Sequence, residues 1–174
     1  DLKFVRRTDL GFDWKGWGMG VAVGDLDGDG YDDLFTAAHG PNAAHFNRDN
    51  KQTAGGRKFV EGAKAAGLDD ERWGMAASLG DLDNDGDLDL YVANDFGRNN
   101  LYLADGGRFQ PAPDGPLTDK AAGMGLSLAD ADLDGVGDLI VSNMFSAAGG
   151  RVTRSPRFMP EASVEVRDEF IRHA

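Results

Sequence analysis

Asp81-Leu82-Asp83-Asn84-Asp85-Gly86-Asp87-Leu88-Asp89-Leu90-Tyr91-Val92-Ala93 decides the fold, because its pattern occurs twice more in the chain. Asp25-Leu26-Asp27-Gly28-Asp29-Gly30-Tyr31-Asp32-Asp33 precedes it, and Asp130-Ala131-Asp132-Leu133-Asp134-Gly135-Val136-Gly137-Asp138 follows. All three read Asp-x-Asp-x-Asp-Gly-x-x-Asp. Each runs into an apolar stretch: Leu34-Phe35-Thr36-Ala37, Leu90-Tyr91-Val92-Ala93 or Leu139-Ile140-Val141-Ser142. Carboxylates this dense repel one another, so a fold that keeps them together calls for a cation among them.

The donor type points to a hard divalent ion. Calcium takes roughly six to eight oxygen ligands. Carboxylates at positions 1, 3 and 5 converge on one centre, and glycine at position 6 permits the sharp turn. Position 7 is Tyr31, Asp87 or Val136, a variety that suits a backbone carbonyl ligand. Asp33, Asp89 or Asp138 at position 9 closes the cage. Magnesium prefers a small octahedral shell with several waters. Zinc and copper prefer nitrogen or sulfur; the chain has no Cys, and none of its three His falls in a loop. An EF-hand starts the same way but requires a Glu at position 12 and flanking helices. Position 12 here is Thr36, Val92 or Val141, and the β-branched and aromatic residues after each loop predict a strand. The plainer alternative is a solvated Asp/Gly turn; three copies in register argue against it.

The repeat is longer than the loop. Met19, Met75 and Met124 each stand six residues before a loop, in runs of small and apolar residues that read as strands of a crowded core. Gly56-Arg57-Lys58-Phe59 matches Gly106-Gly107-Arg108-Phe109, and Asn99-Asn100-Leu101-Tyr102-Leu103 predicts a third strand in the second unit. The first unit shows no such element between Ala43 and Thr53, which reads as an inserted surface loop. The loops start 56 and then 49 residues apart. About four strands per repeat of roughly 40–50 residues is the signature of a β-propeller blade; solenoid repeats are usually shorter.

On these residues, and most closely on Gly80 to Asp95 and Asn100-Leu101-Tyr102, the chain resembles the FG-GAP/VCBS repeat family, whose calcium loops also occur in integrin α-subunit propellers. It is most similar to secreted bacterial members related to cartilage acidic protein and the ASPIC/UnbV-associated proteins. The resemblance covers roughly residues 14–150. It implies a propeller, often of seven blades, with faces that bind protein or carbohydrate. Carried onto this chain, its calcium ligands are Asp25, Asp27, Asp29, the Tyr31 carbonyl and Asp33. They continue as Asp81, Asp83, Asp85, the Asp87 carbonyl and Asp89, then Asp130, Asp132, Asp134, the Val136 carbonyl and Asp138. The third unit departs from the pattern: it lacks the Trp found at Trp17 and Trp73, and Val136-Gly137 replaces a more polar pair.

The expected architecture is therefore all-β. Residues 1–159 form the repeat region, with about three four-stranded blades near 14–70, 71–119 and 120–159. Residues 160–174 form a short amphipathic helix, with Ala162, Val166 and Phe170 on one face. Three blades cannot close a propeller and leave open edges. Either the chain is part of a larger propeller or copies associate to complete a ring; the start at Asp1, without Met, suits a trimmed product. Net charge is −12, and twelve of the thirty acids are the proposed side-chain ligands. About three calcium ions would halve that charge. A chain this acidic is a poor nucleic-acid binder, since phosphates need a basic face. Arg151 to Arg157 is a basic run that suits an anion or, more simply, a solvated loop. No leader is recognisable, and no apolar run approaches the roughly 18 residues of a membrane span. Calcium in place of disulfides fits a secreted protein, extracellular or periplasmic. No nucleophile elbow, zinc-protease or phosphate-loop motif is present. His39 and His45 lie near Asp49 and Asn50, the sequence feature closest to a hydrolytic site. The expected function is a non-catalytic calcium-binding module for adhesion or ligand recognition. The alternative is a piece of a secreted carbohydrate-active hydrolase or lyase whose catalytic residues lie outside the loops.

Overall fold

The computed structural model describes residues 3–52, 56–118 and 122–143. Two four-stranded antiparallel sheets and one two-stranded sheet follow one another along the chain. Sheet 1 is a meander of β1 (Trp17–Gly24), β2 (Asp33–His39), β3 (Ala43–Asp49) and β4 (Arg57–Glu61). Sheet 2 repeats it with β5 (Gly74–Gly80), β6 (Asp89–Asn94), β7 (Asn100–Asp105) and β8 (Arg108–Pro111). Sheet 3 pairs β9 (Gly123–Ala129) with β10 (Asp138–Asn143). A single helical turn, α1 (Ala63–Ala66), links sheets 1 and 2. The expected helix over 160–174, the basic run 151–157 and the outer half of the third unit lie outside the described residues.

Each loop joins the first two strands of its unit, and its position 9 Asp is the first residue of the next strand. Strands after the loops, not helices, dispose of the EF-hand alternative. The antiparallel meander is likewise unlike a solenoid of parallel coils.

One expectation is overturned. Ala43 to Asp49 is not an inserted loop but strand β3, paired with β2 through Leu34↔His45 and with β4 through Asn47↔Phe59. Ala43, Ala44, His45 and Phe46 are all buried, so this strand is apolar on both faces and lacks the alternation that marks a half-exposed one.

The sheets stack through their first strands: β1 lies against β5, and β5 against β9. Small residues permit the approach. A Cβ on Gly20 would stand 2.9 Å from the Ala76 Cα and the Met75 carbonyl, both backbone. Gly74 meets Ala37 and Asn42 of sheet 1, just as Gly123 meets Ala93 and Asn99 of sheet 2. One core runs between the two large sheets, holding Phe35, Phe46, Leu68, Leu90, Val92 and Phe109, with Ala77 and Leu79 packed on it. By register, Met19, Val21 and Val23 of β1 occupy the places of Met75, Ala77 and Leu79 of β5. Among the described residues nothing covers them: they are 51%, 61% and 57% exposed.

Candidate metal centre

The three loops share one internal wiring. The position 1 carboxylate turns inward and accepts two backbone N–H groups, from positions 5 and 6. Asp25 takes Asp29 N at 3.0 Å and Gly30 N at 2.7 Å. Asp81 takes Asp85 N at 3.1 Å and Gly86 N at 3.2 Å. Asp130 takes Asp134 N at 3.0 Å and Gly135 N at 2.9 Å. The position 5 carboxylate accepts from position 7, in Tyr31, Asp87 and Val136, at 2.8–3.0 Å. Such Asx turns follow from a short acceptor placed near its own backbone. The position 6 glycines sit at φ +85°, +98° and +90°, which a side chain resists.

Position 4 is left-handed too, occupied by Gly28 (φ +71°), Asn84 (φ +62°) and Leu133 (φ +64°). Glycine and asparagine tolerate this readily; leucine adopts it only at a cost in strain.

Position 9 has a different task. Asp33 Oδ2 accepts Leu26 N at 2.9 Å, and Oδ1 accepts Asn47 N of β3 at 2.7 Å. Asp89 repeats this with Leu82 N at 2.8 Å and Ala104 N of β7 at 2.9 Å. Both carboxylates are fully buried, so each staples its loop to the second and third strands of the sheet. Burial, reinforced by the charges of Asp27 and Asp29, pushes the Asp33 carboxyl above its ordinary range despite those two donors. Asp138 accepts Ala131 N at 2.9 Å but is exposed.

In each loop three carboxylates bring oxygen atoms together. Atoms of Asp25, Asp27 and Asp29 lie within 4.8 Å of one another, as do those of Asp81, Asp83 and Asp85, and of Asp130, Asp132 and Asp138. In the first two loops the convergent set is positions 1, 3 and 5, with position 9 outside it; in the third it is positions 1, 3 and 9. The donor set is all oxygen, and Asp27 Oδ1 is buried without a hydrogen-bond partner. Asp83 is pushed above its ordinary range by desolvation and by the charges of Asp89, Asp85 and Asp81. Loops of this composition fit a hard cation.

Two arginines on β3 and β4, which sequence reading missed, crown the first loop. Arg48 pairs with Asp27 and, at 3.2 Å, with Asp29. Arg57 lies 3.6 Å from Asp29 and 2.9 Å from Asp49, with its guanidinium 3.4 Å over the Tyr31 ring. No local signal marked Arg48, which reaches the loop only because β3 pairs with β2. On the other side Gly107, in the β7–β8 turn, packs on Asp27 so closely that a Cβ would stand 2.6 Å away.

His39 and His45 are not brought together with Asp49. His45 is buried against Phe12, with ring centroids 4.3 Å apart, and burial lowers its pKa. His39 stands at the far end of β2 and packs on Trp73, 4.1 Å between centroids. Asp49 is engaged by Arg57.

An acidic loop opening the second strand of a repeated antiparallel unit defines a repeat class. Residues 25–92 and 81–141 match the FG-GAP-like repeat, and the chain belongs to that family. Each match runs from one loop to the strand beyond the next, so the repeating unit and the loop spacing coincide. Cartilage acidic protein 1 of Homo sapiens is 35% identical over 88 residues, which are 49% of this chain and 12% of that protein. The match thus spans a small part of its relative.

Proposed function

We propose that the chain is a non-catalytic, calcium-stabilised recognition module of an extracytoplasmic protein, its sheets being blades of a β-propeller. The observation that carries this reading is the triplicated loop: convergent carboxylates on identical backbone wiring, at the head of each unit's second strand. Calcium would be held by the carboxylates at positions 1, 3 and 5 in the first two loops and at positions 1, 3 and 9 in the third, with position 7 adding its carbonyl and, in the first two loops, position 9 anchoring the loop. The bound ion supplies positive charge that cancels the repulsion between those carboxylates. The chain does the rest. Asp33 and Asp89 tie loop to sheet, and the N–H groups of Gly30, Gly86 and Gly135 hold the position 1 carboxylates in place.

The open stripe of Met19, Val21 and Val23 supports the propeller reading, since its counterpart on β5 is packed against a neighbouring sheet. A further unit of the same kind fits there, from the same polypeptide or a second copy. No helix among the described residues is long and apolar enough to cross a membrane. Membership of this repeat family supports an extracellular setting and a protein or carbohydrate ligand. Extracellular calcium modules bind at about 10⁻⁴–10⁻³ M, so such loops fill where calcium is plentiful.

Calorimetric titration with calcium, alongside melting curves in calcium and in chelator, tests the proposal. About three ions per chain and a large rise in Tm are expected. A chain that takes up no calcium and melts identically in both conditions would leave the loops as acidic turns.

A further inference from the structure

The first two loops are alike in backbone and opposite in surroundings. In sheet 1 the residue after Asn47, the donor to Asp33, is Arg48. In sheet 2 the residue after Ala104, the donor to Asp89, is Asp105. Strand register makes these equivalent places, so a cation stands over one loop where an anion belongs to the other. The β4 position of Arg57 is filled in sheet 2 by Gly107, by the same register. Among the described residues no Lys or Arg is ion-paired with Asp81, Asp83 or Asp85. Loop 2 adds Asp87 at position 7, whose carboxylate accepts Gly106 N at 2.9 Å.

We propose that Arg48, assisted by Arg57, makes the first loop the weaker of the two calcium sites, so that loop 2 fills first and loop 1 responds only at higher calcium. The inference rests on the calcium reading above and ranks the sites within it. A guanidinium held against Asp27 and Asp29 withdraws negative charge from two of the three convergent carboxylates and repels an incoming dication. Calcium affinity in acidic loops is tuned by ligand charge count and site rigidity. The same arginine neutralises the loop when no ion is bound. Loop 1 therefore loses less when calcium is withdrawn, whereas loop 2 depends on it.

The test uses the position 6 amides as site-specific reporters, because each donates to the position 1 carboxylate of its own loop. Two-dimensional NMR of the chain titrated with calcium alone should move Gly86 at about tenfold lower calcium than Gly30. Arg48→Gln should draw the Gly30 midpoint toward that of Gly86 and leave Gly86 in place. Asp105→Arg should move the Gly86 midpoint to higher calcium; because it alters only an exposed strand end, it tests the idea even if R48Q fails to fold. Coincident midpoints in the unsubstituted chain, or an R48Q that folds with an unmoved Gly30 midpoint, would overturn the ranking while leaving calcium binding intact. No shift at any of the three glycines would overturn both readings.

Discussion

Loops 1 and 2 are nearly superposable as wiring diagrams and differ in what surrounds them. Asp33 and Asp89 are both buried, both bonded to position 2 of their own loop and both bonded to the third strand. The rims diverge: Arg48 and Arg57 against Asp105 and Gly107. A repeat conserves what the backbone demands and leaves free what the side chains project outward. The loop must be closed and stapled to its sheet in every unit, since otherwise four to six N–H groups lose their partners. The charge on its rim would alter only how tightly a cation is held on the reading proposed above.

The staple should produce the largest effect, and an equal one in both units. Asp89→Ala strands one buried N–H donor, of Ala104, and one half-buried donor, of Leu82, at about 1–3 kcal/mol each, so roughly 3 kcal/mol of stability should be lost in denaturant unfolding. Asp33→Ala should cost about the same. A difference of more than about 2 kcal/mol between the two variants would break the claim that the staple is common to both.

Packing between sheets should come next. Gly20→Val must displace the backbone of β5 and should cost about 1–3 kcal/mol by thermal melting. A neutral substitution would mean that β1 and β5 are not held at close range.

The two sheets should also differ in their response to pH. His45 and Tyr102 hold the same register position, each opposite the leucine that follows the position 9 Asp. Burial holds His45 below the ordinary histidine value of 6.5, with the charge of Glu61 opposing. The unfolded chain therefore binds the extra proton, and sheet 1 should lose stability as pH falls below about 6.5. Tyr102 is raised to about 12, mainly by burial and then by the charge of Asp70. Here the folded chain keeps its proton longer, so sheet 2 should lose stability as pH rises from about 10 toward 12. His45→Asn should flatten the acid limb of a Tm-against-pH curve, and Tyr102→Phe the alkaline limb. Either substitution acting on the other limb would sink the assignment.

The smallest effect concerns the third loop. Leu133 holds φ +64° at a position that is glycine in loop 1 and asparagine in loop 2, and its side chain is 87% exposed. Leu133→Gly removes that strain, worth about 1 kcal/mol, while losing no packing. A small rise in Tm should follow; a fall would show that Leu133 has a contact of its own.

Much of this was readable from residue order. Glycine at position 6 and carboxylates at positions 1, 3 and 5 specify their own turn, because the partners lie within five residues of one another. Apolar runs after each loop marked β2, β6 and β10, and Asn99 to Leu103 marked β7. What failed was β3, where Ala43-Ala44-His45-Phe46 is buried on both faces and shows no period for a reader to detect.

Sequence alone determined that three acidic loops recur, that each opens a strand and that their donors suit a hard cation. These are local facts, decided by short contacts along the chain. Tertiary structure alone decided that Asp33 and Asp89 staple the loops, since their second partners, Asn47 and Ala104, come from another strand. It also decided which loop is crowned by arginine. Arg48 reaches Asp29 from 19 residues away, and only the pairing of β2 with β3 brings them together. Charge acts through space, and the folded sheet, not the repeat period, sets which charges are neighbours.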